Sequence, residues 1–248
     1  MKIKIFTVVL IFLLIGISLA AATEDPYKIM DMVEEQQSAE TGKSEISMIV
    51  YPDLHDKENH RDMRILSYSR GDDESYMEFI TPRSIKGLRI LALDGNQWVY
   101  FPSTGRVRKI AAKSKDQSVS GVGGDFSYED LGGGNMREKY DLNLLESNSE
   151  NWIIEGLSKD DDSAYSRIVM TIDKDKVMMM KIEYYSEEKG HYKDLIIQKV
   201  ENMGGRDVPV QMVMVNREKE SMTVIVIHTA EYDIPIDDRY FNATRFYK

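Results

Sequence analysis

Cysteine is absent from all 248 residues. That removes a disulfide framework, a thiol nucleophile and a lipid-accepting cysteine behind the N-terminal apolar segment. Histidine is scarce, with four in the chain, and His191 and His228 stand isolated on apolar runs. His55 and His60 share a polar stretch with Asp53, Asp56, Glu58 and Asp62, but their spacing fits no metal-ligand pattern, so the stretch reads as a hairpin loop. Asp160-Asp161-Asp162 lacks the glycine and distal glutamate of a calcium loop and reads as a solvated turn. No Gly-x-Ser-x-Gly elbow occurs, and carboxylates are too abundant for any one pair to mark general acid–base chemistry. Neither catalysis nor a cofactor is expected.

Long apolar runs are missing after the first 22 residues. Within those 22, Lys2 and Lys4 precede an apolar run from Ile5 to Ile17, then small residues end in an Ala-x-Ala site at Ala20 and Ala22. This is the pattern of a cleaved secretory signal peptide, too short in its apolar part for a membrane span, and it predicts export to the periplasm. Cleavage would remove two lysines and no acid, leaving 30 basic against 42 acidic groups in residues 23–248, a formal charge of −12. Such a surface opposes nucleic acid as a partner. The mature length suits one domain, 23–248, expected as a monomer.

Asp25 followed by Pro26 marks a helix start, with Tyr27, Met30 and Val33 as an apolar face running to about Ala39. Most of the remainder reads as short strands, at roughly 44–51, 61–70, 74–81, 87–94, 97–101, 106–110, 152–158, 165–173, 178–186, 192–202, 208–217 and 221–232. Tight turns such as Asp94-Gly95-Asn96 and Gly204-Gly205 separate them, so neighbours should pair antiparallel. The long interruption from Ala111 to Asn151 is expected to be a lid-like excursion, with a helical turn or two around Tyr140, Leu142 and Leu145.

Several strands are apolar on both faces. Leu88, Ile90 and Ala92 alternate with Leu91 and Leu93, and Val210, Met212 and Met214 alternate with Val213 and Val215. One short helix cannot cover so large a sheet, so the sheet must curl around an apolar interior. Fifteen methionines, several on strands, suit an adaptable apolar lining. Alternation selects Trp98, Tyr100, Met178, Met180, Ile182, Tyr184, Met212 and Met214 as candidates to line that interior and bind an apolar ligand, with Met30 and Val33 from the helix.

The stretch Ser118 to Leu131, SVSGVGGDFSYEDL, combines glycines with aromatic anchors. Gly124 is followed by Asp125 and Phe126 where a phosphate loop needs Lys and then Ser or Thr, and no helix opens as in a dinucleotide fold. Gly121, Gly123, Gly124, Asp125, Phe126 and Tyr128 are therefore assigned to a pinned loop over the interior.

The run Gly124-Asp125-Phe126-Ser127-Tyr128-Glu129-Asp130-Leu131 resembles a segment in one branch of the outer-membrane lipoprotein-sorting family, the LolA-like periplasmic carriers. Gln97-Trp98-Val99-Tyr100-Phe101-Pro102, Tyr165-Ser166-Arg167-Ile168, Lys181 to Tyr185, and the closing Glu231-Tyr232-Asp233 to Phe241 follow in a similar order. The resemblance implies an unclosed antiparallel β-barrel, with helices covering an apolar cavity that holds acyl chains. It further implies a lipid or lipoprotein cargo, an inner-membrane transporter that supplies it and an outer-membrane acceptor that takes it. A non-catalytic accessory subunit of an envelope exporter, with a packed barrel interior, is the alternative.

Overall fold

The computed structural model describes residues 24–248 except 112, 113, 115, 132 and 133. The export segment expected at 1–22 lies outside the described residues. Among those described, no helix is long and apolar enough to cross a membrane.

Helix α1 (Pro26–Gln37) is followed by six strands: β1 (Thr41–Tyr51), β2 (Arg61–Arg70), β3 (Glu74–Thr81), β4 (Arg89–Leu93), β5 (Asn96–Phe101) and β6 (Arg106–Lys109). A four-residue helix α2 (Met136–Lys139) then leads into β7 (Tyr140–Ser147), β8 (Asn151–Ser158), β9 (Arg167–Asp173) and β10 (Met178–Ser186). The last strands are β11 (Gly190–Met203), β12 (Arg206–Asn216) and β13 (Ser221–Tyr232), with a 3-10 turn at Asp238–Phe241.

All thirteen strands form one antiparallel sheet in the order β6-β5-β4-β3-β2-β1-β13-β12-β11-β10-β9-β8-β7. The sheet is unclosed, as expected of a half-barrel. The order contains two meanders. The first runs outward from the centre to the β6 edge; the second starts at the opposite edge with β7 and works back until β13 pairs with β1. The chain must therefore cross from one edge of the curled sheet to the other between β6 and β7. That crossing is the glycine-rich segment.

The crossing runs over the concave face. Val119, Val122, Phe126 and Tyr128 are buried there with Ile29, Met30 and Val33 of α1. They share one apolar cluster with Met63, Ile65, Phe79, Ile90 and Val99 of the first meander and Ile154, Ile168, Met170, Ile172 and Met214 of the second. At roughly 1.5–3 kcal/mol per buried large side chain, this cluster is the main source of stability.

A second, smaller cluster accounts for the apolar residues on the outer face of β4 and β5. Tyr76 and Leu91 pack on the convex side with Phe246, and Tyr68, Trp98, Tyr100, Tyr240 and Tyr247 surround them. The C-terminal segment thus covers the back of β2–β6, with Tyr68 stacked on Tyr240 at 4.4 Å and Tyr100 on Tyr247 at 5.6 Å between ring centroids.

The stretch around Tyr140, Leu142 and Leu145 is strand β7, not helical turns. Tyr140 and Leu142 are buried while Asp141 and Asn143 are exposed, the two-residue period of a strand. A bulge between Leu144 and Glu146 leaves Leu145 out of that alternation. Only α2, immediately before it, is helical.

Candidate functional site

The segment Gly124–Leu131 is fastened at nearly every residue. Gly124 has φ +85°, and a Cβ there would lie 2.9 Å from both Thr223 Oγ1 and Val50 Cγ2, so glycine is required by conformation and by contact. Its close approach brings Asp125 against β13. The Asp125 carboxylate, 2% exposed, accepts hydrogen bonds from Ser221 Oγ (2.6 Å) and Thr223 Oγ1 (2.8 Å), while its backbone N–H donates to Thr223 Oγ1 (2.9 Å). Phe126 and Tyr128 insert into the concave core. The Tyr128 carbonyl accepts from Gln97 Nε2 (2.6 Å), and its hydroxyl accepts from the Ser120 N–H (3.1 Å).

The remaining residues tie the loop to the second meander. Glu129 accepts from Ser163 Oγ and the Ala164 N–H at 2.6 and 2.7 Å. Asp130 accepts from Tyr165 Oη (2.5 Å), Lys193 Nζ (3.3 Å) and Ser127 Oγ (2.8 Å). Lys193 also reaches Tyr165 Oη at 3.1 Å. Burial and then the Asp130 charge push the Tyr165 hydroxyl well above the usual tyrosine range, so it remains a donor to Asp130. Burial likewise raises Tyr184.

Helix α1 is tied mainly to α2 and β7 and also packs beside β10. Asp25 caps it by accepting from the Tyr27 N–H (3.0 Å). Asp31 pairs with Arg137 at 2.6 Å, Glu34 accepts from Asn135 Nδ2 at 2.5 Å, and Tyr27 Oη accepts the Leu142 N–H at 3.2 Å. Glu24, just before the helix, accepts from Trp152 Nε1 at 2.7 Å.

The ten apolar candidates divide between environments. Met30, Val33, Ile182, Tyr184 and Met214 belong to the concave cluster, and Met212 packs against it half-buried. Trp98 and Tyr100 lie on the convex face with the C-terminal aromatics; Gln97 and Val99 are the inward members of β5. Met178 is buried outside the concave cluster, and Met180 is half-buried. A bulge between Met179 and Lys181 shifts the alternation, so that Met179 packs toward the concave cluster. Met48, Met63 and Met170, all at most 2% exposed, also belong to that cluster, although strand alternation does not single them out.

Among the loop residues, Asp125, Phe126 and Tyr128 are buried, Gly123 and Gly124 half-buried, and Gly121 exposed. Two polar clefts flank the motif. One of about 450 Å³ lies between Asp94, Gln97, Glu129 and Asn135; the other, of about 700 Å³, is bordered by Asp116, Asp160, Asp161, Asp162, Lys189 and Lys193. Among the described residues, no group of three or more histidines and carboxylates is arranged to hold a metal ion.

A family model whose description reads "-like: Uncharacterized protein" matches residues 71–247. No curated protein matches the sequence. Among solved structures, a DUF1329 family protein from Desulfovibrio piger is 24% identical, with 89% of this chain and 98% of that one covered and a TM-score of 0.79. A putative outer membrane lipoprotein-sorting protein domain from Vibrio parahaemolyticus is 21% identical, covering 90% and 100%, with a TM-score of 0.78. A LolA superfamily protein from Nitrosomonas europaea is 17% identical, covering 88% and 97%, with a TM-score of 0.71. At these identities the likeness is one of fold.

Proposed function

We propose, from the premise that the chain belongs to the family matched across residues 71–247 and has the LolA-like fold, that it is a non-catalytic periplasmic carrier of acyl chains. It would take a lipid or lipoprotein from an inner-membrane transporter and pass it to an acceptor at the outer membrane. The description of the Vibrio neighbour as a lipoprotein-sorting domain supports this reading by analogy of fold.

The observation that carries the proposal is the composition and covering of the concave face. Met30, Met48, Met63, Met170 and Met214 contribute five flexible, fully buried side chains to one interior. Thioether side chains repack around an irregular guest more readily than branched aliphatics. The cover consists of one 12-residue helix and the crossing segment, both held to the sheet by side-chain bonds instead of strand pairing. Lifting either exposes apolar surface that an acyl chain can replace, at roughly 0.8 kcal/mol per buried CH₂. The interior then opens with the guest and closes without it.

A second reading is favoured by the same packing. Met30 at 0% and Val122 at 1% exposed leave the face filled, as an accessory subunit with a packed interior would have it. Native mass spectrometry of protein purified from its own envelope separates the two. A carrier shows adducts of one or two lipid masses that organic extraction removes; protein that carries none, and takes none up from lipid-loaded detergent, is the accessory module. N-terminal sequencing of the same sample should begin at Thr23 if residues 1–22 direct export.

A further inference from the structure

A cleft of about 260 Å³ opens between the crossing segment, the start of β2 and the β3–β4 connection, bordered by Arg61, Met63, Pro82, Ile85 and Gly121, with Asp62 at its rim. Its floor differs from those of the two polar clefts. Met63 and Ile85, at 1% and 9% exposed, are members of the concave apolar cluster, so the floor of the cleft is the edge of the core itself, nearly closed to solvent. Gly121 forms the opposite wall, and the nearest atom to a Cβ placed there is Leu88 Cδ1 at 4.0 Å.

Arg61 stands at the mouth. Its parity along β2 matches Met63 and Ile65, which face the concave cluster, whereas Arg64 points to the other side. The Arg61 guanidinium has no hydrogen-bond or ion-pair partner among the described residues; neighbouring Asp62 lies 3.6 Å from His60 instead. One guanidinium nitrogen lies 3.4 Å from the position of a Cβ on Gly123, against the loop itself. Arg83 and Lys86, flanking Ser84 and Ile85 in sequence, are exposed. In a chain of formal charge −10, an unpaired guanidinium over an apolar floor fits a ligand with an anionic head and an apolar tail.

We infer that this cleft admits an acyl chain bearing an anionic head, carboxylate or phosphate, with Arg61 as the partner of the head. The inference rests on the carrier reading and names where the ligand enters and which charge it carries. The cleft lies below the roughly 300–1,000 Å³ of complete small-molecule sites, so it holds the head and the first methylenes while the rest of the chain displaces the methionine interior.

The test uses the mature chain and two matched ligand pairs in calorimetric titrations: laurate against lauryl alcohol, and lauroyl lysophosphatidylglycerol against monolauroylglycerol. The anionic member of at least one pair should bind about tenfold or more tightly than its neutral counterpart, and the pair that shows it identifies the head. Arg61→Gln should abolish the preference, Arg61→Lys should keep part of it, and Arg64→Gln, which removes the same charge from the opposite face, should leave it intact. Arg61 is exposed at the start of its strand, and circular dichroism melting checks that each variant is folded. Equal affinity for both members of both pairs overturns the assignment while leaving the carrier reading standing. So does an equal loss in Arg61→Gln and Arg64→Gln, which would make the effect one of net charge. Failure to bind any of the four ligands sinks the carrier reading and the entry site with it.

Discussion

Two glycines of the crossing segment share a backbone conformation and differ in what surrounds them. Gly121 has φ +84° with open space beside it, and Gly124 has φ +85° with Thr223 and Val50 at 2.9 Å from the place a Cβ would take. Gly121→Ala should cost about 1 kcal/mol of backbone strain, and Gly124→Ala about 2–4 kcal/mol because the loop must also lift from β13. Urea denaturation of the two variants checks the difference; equal losses would mean that the close approach contributes nothing. Asp125→Ala should cost a similar 2–4 kcal/mol, since it strands two buried hydroxyls, Ser221 and Thr223. The sequence marks Gly124-Asp125-Phe126 as unusual, and the aromatic anchoring of the loop is legible from composition. The partners of Asp125 are not legible, because they lie 96 and 98 residues away and are ordinary strand residues in their own context.

At the scale of the element, α1 is readable at its start because capping is local: Asp25 and Pro26 act within one turn. Its docking is not local. Glu34 is drawn under Asn135, and burial raises its carboxyl above the ordinary glutamate value despite the hydrogen bonds from Met136 and Asn135. A carboxyl whose folded pKa lies above its unfolded one takes up a proton on folding within that interval. Stability should therefore decline as pH rises from the ordinary value of 4.5 through the raised one, and level off beyond it. Glu34→Gln should remove that slope, and thermal melts between about pH 4 and 8 would then give a flatter curve for the variant. A variant curve parallel to the wild type would show that Glu34 does not titrate differently on folding. The same contrast between local and distant information explains the strand faces. Alternation alone turns Trp98 and Tyr100 inward, because β5 offers apolar residues on both sides, and only the C-terminal Phe246 and Tyr247, far along the chain, decide which side they cover. Met180 is displaced by a bulge, a feature that leaves no mark in hydropathy.

The whole molecule carries a liability that closed barrels avoid, because a sheet of thirteen strands left open has two edges with unpaired backbone groups. Each edge is guarded differently. On β6, Arg106, Arg108 and Lys109 occupy three of four positions, with Arg108 over Phe101 and Lys109 over Trp98 at 5.5 Å from each ring centroid. On β7, the Leu142 N–H is taken by Tyr27 of α1, and the bulge at Leu144–Glu146 interrupts the flat template that another strand would need. Because β7 is guarded by geometry and β6 by charge, only the second guard can be removed without disturbing the fold. Replacing Arg106, Arg108 and Lys109 together by threonine should leave stability within about 1 kcal/mol of the wild type, since the three side chains are exposed, yet raise the mass seen in light scattering above that of the wild type at the same concentration. If the triple variant keeps the wild-type mass, the edge is protected by something other than its charge. If the wild type already associates, β6 is an interface in its own right.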